Sequence, residues 1–284
     1  MSLVEKDIWL TFALREIYAL PECSCLAFKG GTCLVKAYFG FYRFSEDLDF
    51  TWASERRIKE RQFRVMVVER VMEELGLEWD FHDKVKTGIA GTHSGGIMSY
   101  FLLTPQAGGR LSKLKMTVSF DETLEFPPVE KPIMSAATLA QQRELNAMFG
   151  QISLDYFSPP IALCYSLQEI ACEKIRAILT RRVQPNRSRD LADLLVIAGE
   201  MPLAHAAPEK AVKAKLASAM KIPAYKREYE KNTQDLHGHL AQLAAEITQD
   251  PVFVNRPDPG HLNEFVRELE EHMEKILARN KPEK

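Results

Sequence analysis

Residues 28–51 constrain this 284-residue chain more than any other stretch. The run Leu26-Ala27-Phe28 reads as a buried strand. Gly30 and Gly31 then release the backbone for a sharp turn, and Thr32 can cap a helix that Leu34, Val35 and Tyr38 continue. A second strand is expected over Leu48–Trp52. Asp47 and Asp49, just before and at its start, are two residues apart, so their side chains leave one face. The unit brings helix-terminal N–H groups near a pair of carboxylates. A glycine turn at a helix N-terminus receives a phosphate, because unpaired N–H groups and the helix dipole both favour an anion. Paired aspartates on one strand edge can hold Mg²⁺ bridging phosphate oxygens. Each half alone has an ordinary reading, a plain turn and a solvated strand end. Together they describe a nucleoside triphosphate held for attack at one of its phosphorus atoms.

Composition excludes little. With 46% hydrophobic and 27% charged residues the chain is ordinary globular material, and a net charge of −2 leaves any polyanion site to a local patch. Cysteines 23, 25, 33, 164 and 172 form no paired Cys-x-x-Cys sets, and their odd count argues for reduced thiols rather than a disulfide framework. The segment Met1–Asp7 has neither a basic nor an apolar leader region, and no apolar run approaches the roughly 20 residues that cross a bilayer. A cytoplasmic protein with no membrane partner is expected.

Helical spacing marks residues 3–20, ended by Pro21, and 55–75, ended by Gly76. Strands are expected over 77–86, 96–104 and 111–120, the last two joined by a turn at 104–109. This predicts an α/β domain over 1–125: a mixed sheet with flanking helices. A proline-containing linker over 126–160 follows, with one possible helix at 135–148. A mainly α-helical domain over 161–284 is expected to complete the active-site cleft, with helices at 166–182, 188–199, 207–219, 224–248 and 261–279.

The helical half holds the second informative stretch. Ser166 and Glu169 make a capping box. Glu173-Lys174-x-x-Ala177 follows, then Arg181-Arg182, then Arg189-Asp190-x-x-Asp193-Leu194. A lysine over a triphosphate offsets charge spread during displacement, and Asp190 could orient it or accept a proton from an incoming hydroxyl. The plain alternative is a buried Lys–Asp pair joining two helices. From Lys174 to Arg189 there are six basic residues and no acidic one, which suggests an RNA-binding patch of Arg176, Arg181, Arg182, Arg187 and Arg189. The later lysines, from Lys210 to Lys226, read as the wet side of two helices. His237-Gly238-His239 reads as a polar helix surface, and Phe39, Phe41, Tyr42 and Phe44 as packing beside the catalytic strand.

These motifs, in this order, resemble those of the AbiEii/AbiGii-type nucleotidyltransferase toxins of the DNA polymerase β-like nucleotidyltransferase superfamily. Gly30-Gly31-Thr32 followed by Arg43-Phe44-Ser45-x-Asp47-x-Asp49 is similar to the family's first motif, and the stretches at 173–177 and 189–194 to its later ones. Glu5-Lys6-Asp7 resembles the family's opening helix, although an acidic first turn explains it equally well. The resemblance implies that Asp47, Asp49, Lys174 and Asp190 are catalytic, with Asp47 and Asp49 holding Mg²⁺ or Mn²⁺. It implies that Gly30, Gly31, Thr32, Arg43 and Ser45 hold NTP phosphates. The activity implied is that of a toxin of an AbiE-like type IV toxin–antitoxin pair. It would transfer a nucleotidyl group to RNA, with tRNA the expected acceptor, and be neutralised by a separately encoded antitoxin. One position departs: Thr117 stands roughly where the family commonly carries a third carboxylate; Asp121 could partly replace it, or Asp47 and Asp49 could hold the metal with substrate phosphates and water alone. Two rivals stay open. One is a transferase on the same scaffold acting on a small molecule or protein. The other is a non-catalytic nucleotide- or RNA-binding module.

Overall fold

The computed structural model describes the chain except residues 1–2, 76, 81–97, 106–113, 137–138, 183–187, 255 and 279–284. Internal contacts divide it into two units. The first runs to Glu122 and resumes over Pro128–Cys164, and the second comprises Thr123–Pro127 and the chain from Tyr165.

In the first unit, α1 (Leu3–Ala19) leads through a tight turn at Pro21–Cys25 into β1 (Leu26–Lys29), and α2 (Gly30–Cys33) continues in wider π turns over Leu34–Phe39. Then come β2 (Asp47–Trp52), α3 (Glu60–Phe63), π turns at Arg64–Val68, α4 (Glu69–Leu75), β3 (Leu77–Asp80), β4 (Met98–Pro105) and β5 (Leu114–Ser119). β6 (Val129–Pro132), α5 (Leu139–Phe149), α6 (Gln151–Phe157) and β7 (Ile161–Cys164) close it. The strands form one sheet ordered β3-β4-β5-β2-β1-β7-β6. The β2–β5 and β1–β7 pairs are parallel and the rest antiparallel. The expected mixed sheet is present.

Alternation along β2 decides the layers. Leu48 and Phe50 are fully buried and Trp52 nearly so. Phe50 stacks on Phe28 with ring centres 5.3 Å apart, and Trp52 meets Phe63 edge-on. Asp47, Asp49 and Thr51 take the other face. Behind the sheet, α1 is tied down by polar bonds: the Tyr18 hydroxyl donates to the Leu26 carbonyl at 2.7 Å, and Asp7 is buried against Lys36 at 2.6 Å.

From Pro128 on, the stretch read as a linker is built into this unit instead. β6 pairs with β7, and β7 pairs with β1 through Phe28 and Cys164. Four-residue strands flanked by prolines give almost no periodic signal, and Pro132 is tolerated because β6 is an edge strand. The helix expected at 135–148 is α5, and it ends where Gly150 takes φ +55°, after which α6, not expected from the sequence, begins. The Gly76 cap lies outside the described residues, as do the 81–86 part of the first expected strand and most of the turn at 104–109.

The second unit is helical: α7 (Leu167–Thr180), α8 (Ser188–Glu200), α9 (Leu203–Ala206), α10 (Glu209–Ala219), α11 (Pro223–Gln234), α12 (Leu236–Ile247) and α13 (Pro259–Ala278). Helix α7 is its hub, packed against α8, α10 and α11. The single helix expected at 224–248 is divided at Asp235, which leaves helical geometry at φ −134° and caps the Gly238 N–H at 2.9 Å. The capping box at Ser166 is half made. Ser166 Oγ accepts from the Glu169 N–H, while the Glu169 carboxylate accepts the N–H groups of Glu125 and Phe126, both at 3.0 Å, and pairs with Lys215.

Candidate active site

The glycine turn and the aspartates form one corner of the first unit. Gly30 sits at φ +77°, and a Cβ there would lie 2.9 Å from Asp49 Oδ2, so only glycine allows the turn to close on the carboxylate. Gly31 is required for a different reason: a Cβ there would collide with the Arg43 guanidinium, which is packed beneath the turn. Arg43 is itself buried, donates to the Phe44 carbonyl at 3.0 Å and lies against the Tyr42 ring. It props the turn from below, which corrects its expected role as a phosphate ligand.

The expected cap is also revised. Lys29 occupies the N-cap position and makes no side-chain capping bond, so the first-turn N–H groups have no such cap. Thr32 lies inside the first turn. Its hydroxyl donates to the Asp47 carbonyl at 2.5 Å and lies 2.8 Å from Ser45 Oγ. The first helical turn is thereby bonded to the residue that starts the aspartate strand. Lys6 pairs with Glu46 at 2.5 Å, just ahead of that strand.

Register places β2 between β1 and β5, with Lys29 and Thr117 flanking Asp49 and Lys115 beside Asp47. Desolvation and the neighbouring Asp49 push the Asp47 carboxyl above the ordinary carboxylate range, and Lys115, with Nζ 4.0 Å from Oδ2, offsets part of this. Thr117 is buried, and its hydroxyl has no hydrogen-bond partner among the described residues. Asp121 does not continue the β5 alternation, because the strand ends at Ser119. It lies partly exposed beside Arg57 at 3.7 Å, so the substitution for Thr117 that the sequence left open is not made. The carboxylate that does turn onto the sheet is Glu122, which sequence reading missed: Lys29 pairs with it, and Thr51 Oγ1 donates to it at 2.9 Å.

Two hard-oxygen carboxylates on one strand face, that of Asp47 half exposed, fit a Mg²⁺ or Mn²⁺ ion that completes its shell with phosphate and water. Among the described residues no group of three acidic, histidine or cysteine side chains could hold a metal. A Cβ at Gly30 would press on Asp49 Oδ2, one of the oxygens offered to the ion.

In the second unit Lys174 bridges α7 and α8, pairing with Asp190 at 2.6 Å and with Asp193 at 2.7 Å. Asp193, fully buried, is a partner that sequence reading quoted without assigning a role. Burial raises the Asp190 carboxyl, but Lys174 and Arg181 outweigh it and hold the group below its usual range. Arg181, Arg182, Asp190 and His239 line a shallow hollow on this unit. Of the arginine patch, Arg182 is exposed and Arg181 half-buried. Arg176 is not part of it: 1% exposed, it is locked to Glu173 at 2.6 Å and to Thr180. Arg189 is paired with Asp250 at 3.0 Å, and Arg187 lies outside the described residues. His237 is exposed as expected, whereas His239 is buried and bonded to the Ile178 carbonyl at 2.9 Å.

Residues 13–279 match the family described as nucleotidyl transferase AbiEii toxin, type IV TA system. No curated protein is similar in sequence at a significant level. Two crystal structures of Helicobacter pylori proteins are similar over nearly the whole chain, each at 14% identity. JHP933 has a TM-score of 0.48 and covers 98% of both chains. A protein described as a candidate nucleotidyltransferase has a TM-score of 0.49, covering 97% of this chain and 99% of its own.

Proposed function

The chain belongs to the AbiEii family of nucleotidyltransferase toxins, and on that premise we propose that it moves a nucleotidyl group from an NTP to a hydroxyl of RNA, with tRNA the acceptor to test first. One observation supports this most: the glycine turn closes on Asp49 while Thr32 is bonded to the Asp47 backbone, so phosphate cradle and carboxylates form a single rigid corner.

The first-turn N–H groups and Ser45 bind the triphosphate, and Gly30 and Gly31 let it approach the backbone. Divalent Mg²⁺ or Mn²⁺ held by Asp47 and Asp49 would draw the phosphate oxygens together and offset their charge. The acceptor hydroxyl oxygen attacks the α-phosphorus, the bond to the β-phosphate oxygen breaks, pyrophosphate leaves, and the hydroxyl proton passes to solvent water. Lys174 supplies positive charge to the transferring group. Asp190 orients that lysine rather than taking the hydroxyl proton, because a carboxylate held acidic by two cations is a weak base. Arg181 and Arg182 contact acceptor phosphates. The partner implied by the family is an antitoxin encoded separately.

The test is incubation with Mg²⁺, each α-³²P-labelled NTP in turn and total tRNA, beside Asp49→Asn and Lys174→Met proteins of verified fold. Label entering RNA with the wild type alone supports the reading and names the nucleotide. Label on a protein or a small molecule instead keeps the transferase and discards the RNA acceptor. The narrowing of the arginine patch, with Arg176 buried and Arg189 paired, is the observation that keeps this second reading in view. Nucleotide binding without transfer to any acceptor would indicate a non-catalytic module.

A further inference from the structure

Register fixes which side chains can surround the aspartates, and they differ in kind from those a pair of metal ions needs. A two-metal site holds its ions roughly 3.5–4 Å apart. Repulsion between two divalent cations is about fourfold that between unit charges at the same distance, so such sites depend on surplus carboxylate. Here β2 offers Asp47 and Asp49, and the facing positions of β5 offer Lys115, Thr117 and Ser119: one cation and two hydroxyls. Lys115 Nζ is 4.0 Å from Asp47 Oδ2, with both side chains about half exposed. Ser119 Oγ is taken by the Lys29 ammonium at 3.1 Å. Glu122 is held by Lys29 and Thr51. Asp121 is beside Arg57. The aspartates with Lys115 carry a formal charge of −1, and with Glu122 and Asp121 engaged elsewhere a second divalent ion would have only triphosphate oxygens, and no carboxylate beyond this pair among the described residues, to hold it.

We infer that this corner takes one divalent ion per bound nucleotide, with Lys115 standing where the charge of a second would fall and the Thr117 hydroxyl facing the substrate in place of a metal-binding carboxylate. The inference rests on the reading of Asp47 and Asp49 as metal ligands. Thr117 Oγ1 carries the second part: it is buried beside Asp49 with no hydrogen-bond partner among the described residues, and an unmet buried hydroxyl costs free energy that a bound phosphate or water would recover.

The experiment counts Mn²⁺ bound to the purified protein saturated with a non-hydrolysable NTP analogue, by paramagnetic resonance of the free ion and by calorimetry. One Mn²⁺ per complex is expected for the wild type. Asp49→Asn should weaken its binding at least tenfold. Lys115→Met should tighten it several-fold with the count unchanged. Thr117→Asp should raise the count to two. Two ions on the wild type overturn the inference whatever Thr117→Asp does. One ion that binds equally to wild type and Asp49→Asn belongs to the nucleotide alone and overturns the metal-ligand reading beneath it.

Discussion

Glycines 30 and 31 stand side by side for unrelated physical reasons, and substitution separates them. Gly30→Ala meets a backbone angle that a Cβ resists and an oxygen of Asp49 at 2.9 Å, whereas Gly31→Ala meets only a side chain, Arg43. Each should lower stability in urea unfolding by about 1–3 kcal/mol. In an Arg43→Ala background Gly31→Ala should cost measurably less, while the cost of Gly30→Ala should not change. Asp7 and Lys36 are the other informative single residues. Burial pushes the Lys36 ammonium below its ordinary range, and Asp7 at 2.6 Å partly restores it. Lys36→Met leaves Asp7 buried without its cation and should cost about 3–5 kcal/mol, whereas Asp7→Asn with Lys36→Met should cost less than that single change. The acidic residue that seemed to serve the first-turn dipole is a core anchor. Spacing within α1 could not show this, because the partner lies on a different helix.

At the level of elements, α7 is held at both ends by side chains distant in sequence. Its last carbonyls accept from Asn232 Nδ2, at 2.9 Å for Arg181, and from His239. Burial holds the His239 imidazole below its ordinary 6.5. Above pH 6.5 both folded and unfolded chains carry it neutral, so it adds no pH dependence. As pH falls below that value the unfolded chain takes a proton that the folded chain resists, and stability should decline until the folded value is passed. His239→Gln should flatten this decline between pH 7 and 5 in unfolding titrations. Lys174 ties α7 to α8 through two carboxylates, so Lys174→Met should cost about 3–5 kcal/mol in stability besides any catalytic loss. Asp193→Asn should cost less, since Asp190 still holds the ammonium. The two helices and their pairing motif were legible from S-x-x-E and the Arg-Asp-x-x-Asp spacing. The burial of Arg176 was not, because α10 brings Lys215 and its ion pairs onto the face that the charge run seemed to leave wet.

Over the whole molecule, a net charge of −2 gives RNA no general attraction, so the proposed RNA acceptor would have to be held by few contacts. With Arg181 and Arg182 as the proposed acceptor contacts, Arg181→Ala/Arg182→Ala should reduce the slope of log affinity against log salt by about 1.4 for single-stranded RNA, measured by filter binding. Nucleotide affinity should stay unchanged. Arg176→Ala should instead appear as lost stability.

The sequence by itself determined what depends on neighbours in the chain: the strand–glycine–helix unit, Asp47 and Asp49 on one face, the helical second half, and the motifs that carry the family resemblance. Periodicity and turn chemistry act over a few residues, and there the reading is secure. Tertiary structure decided what depends on register and on where an element stops. It added β6 and β7 to the sheet, and placed Arg43 under the turn and Arg176 in the core. It brought Lys115 and Thr117 beside the aspartates, and ended β5 at Ser119 so that Glu122, rather than Asp121, turned inward. Each of these is a meeting of residues far apart in the chain, chosen by burial and charge compensation once the sheet had formed.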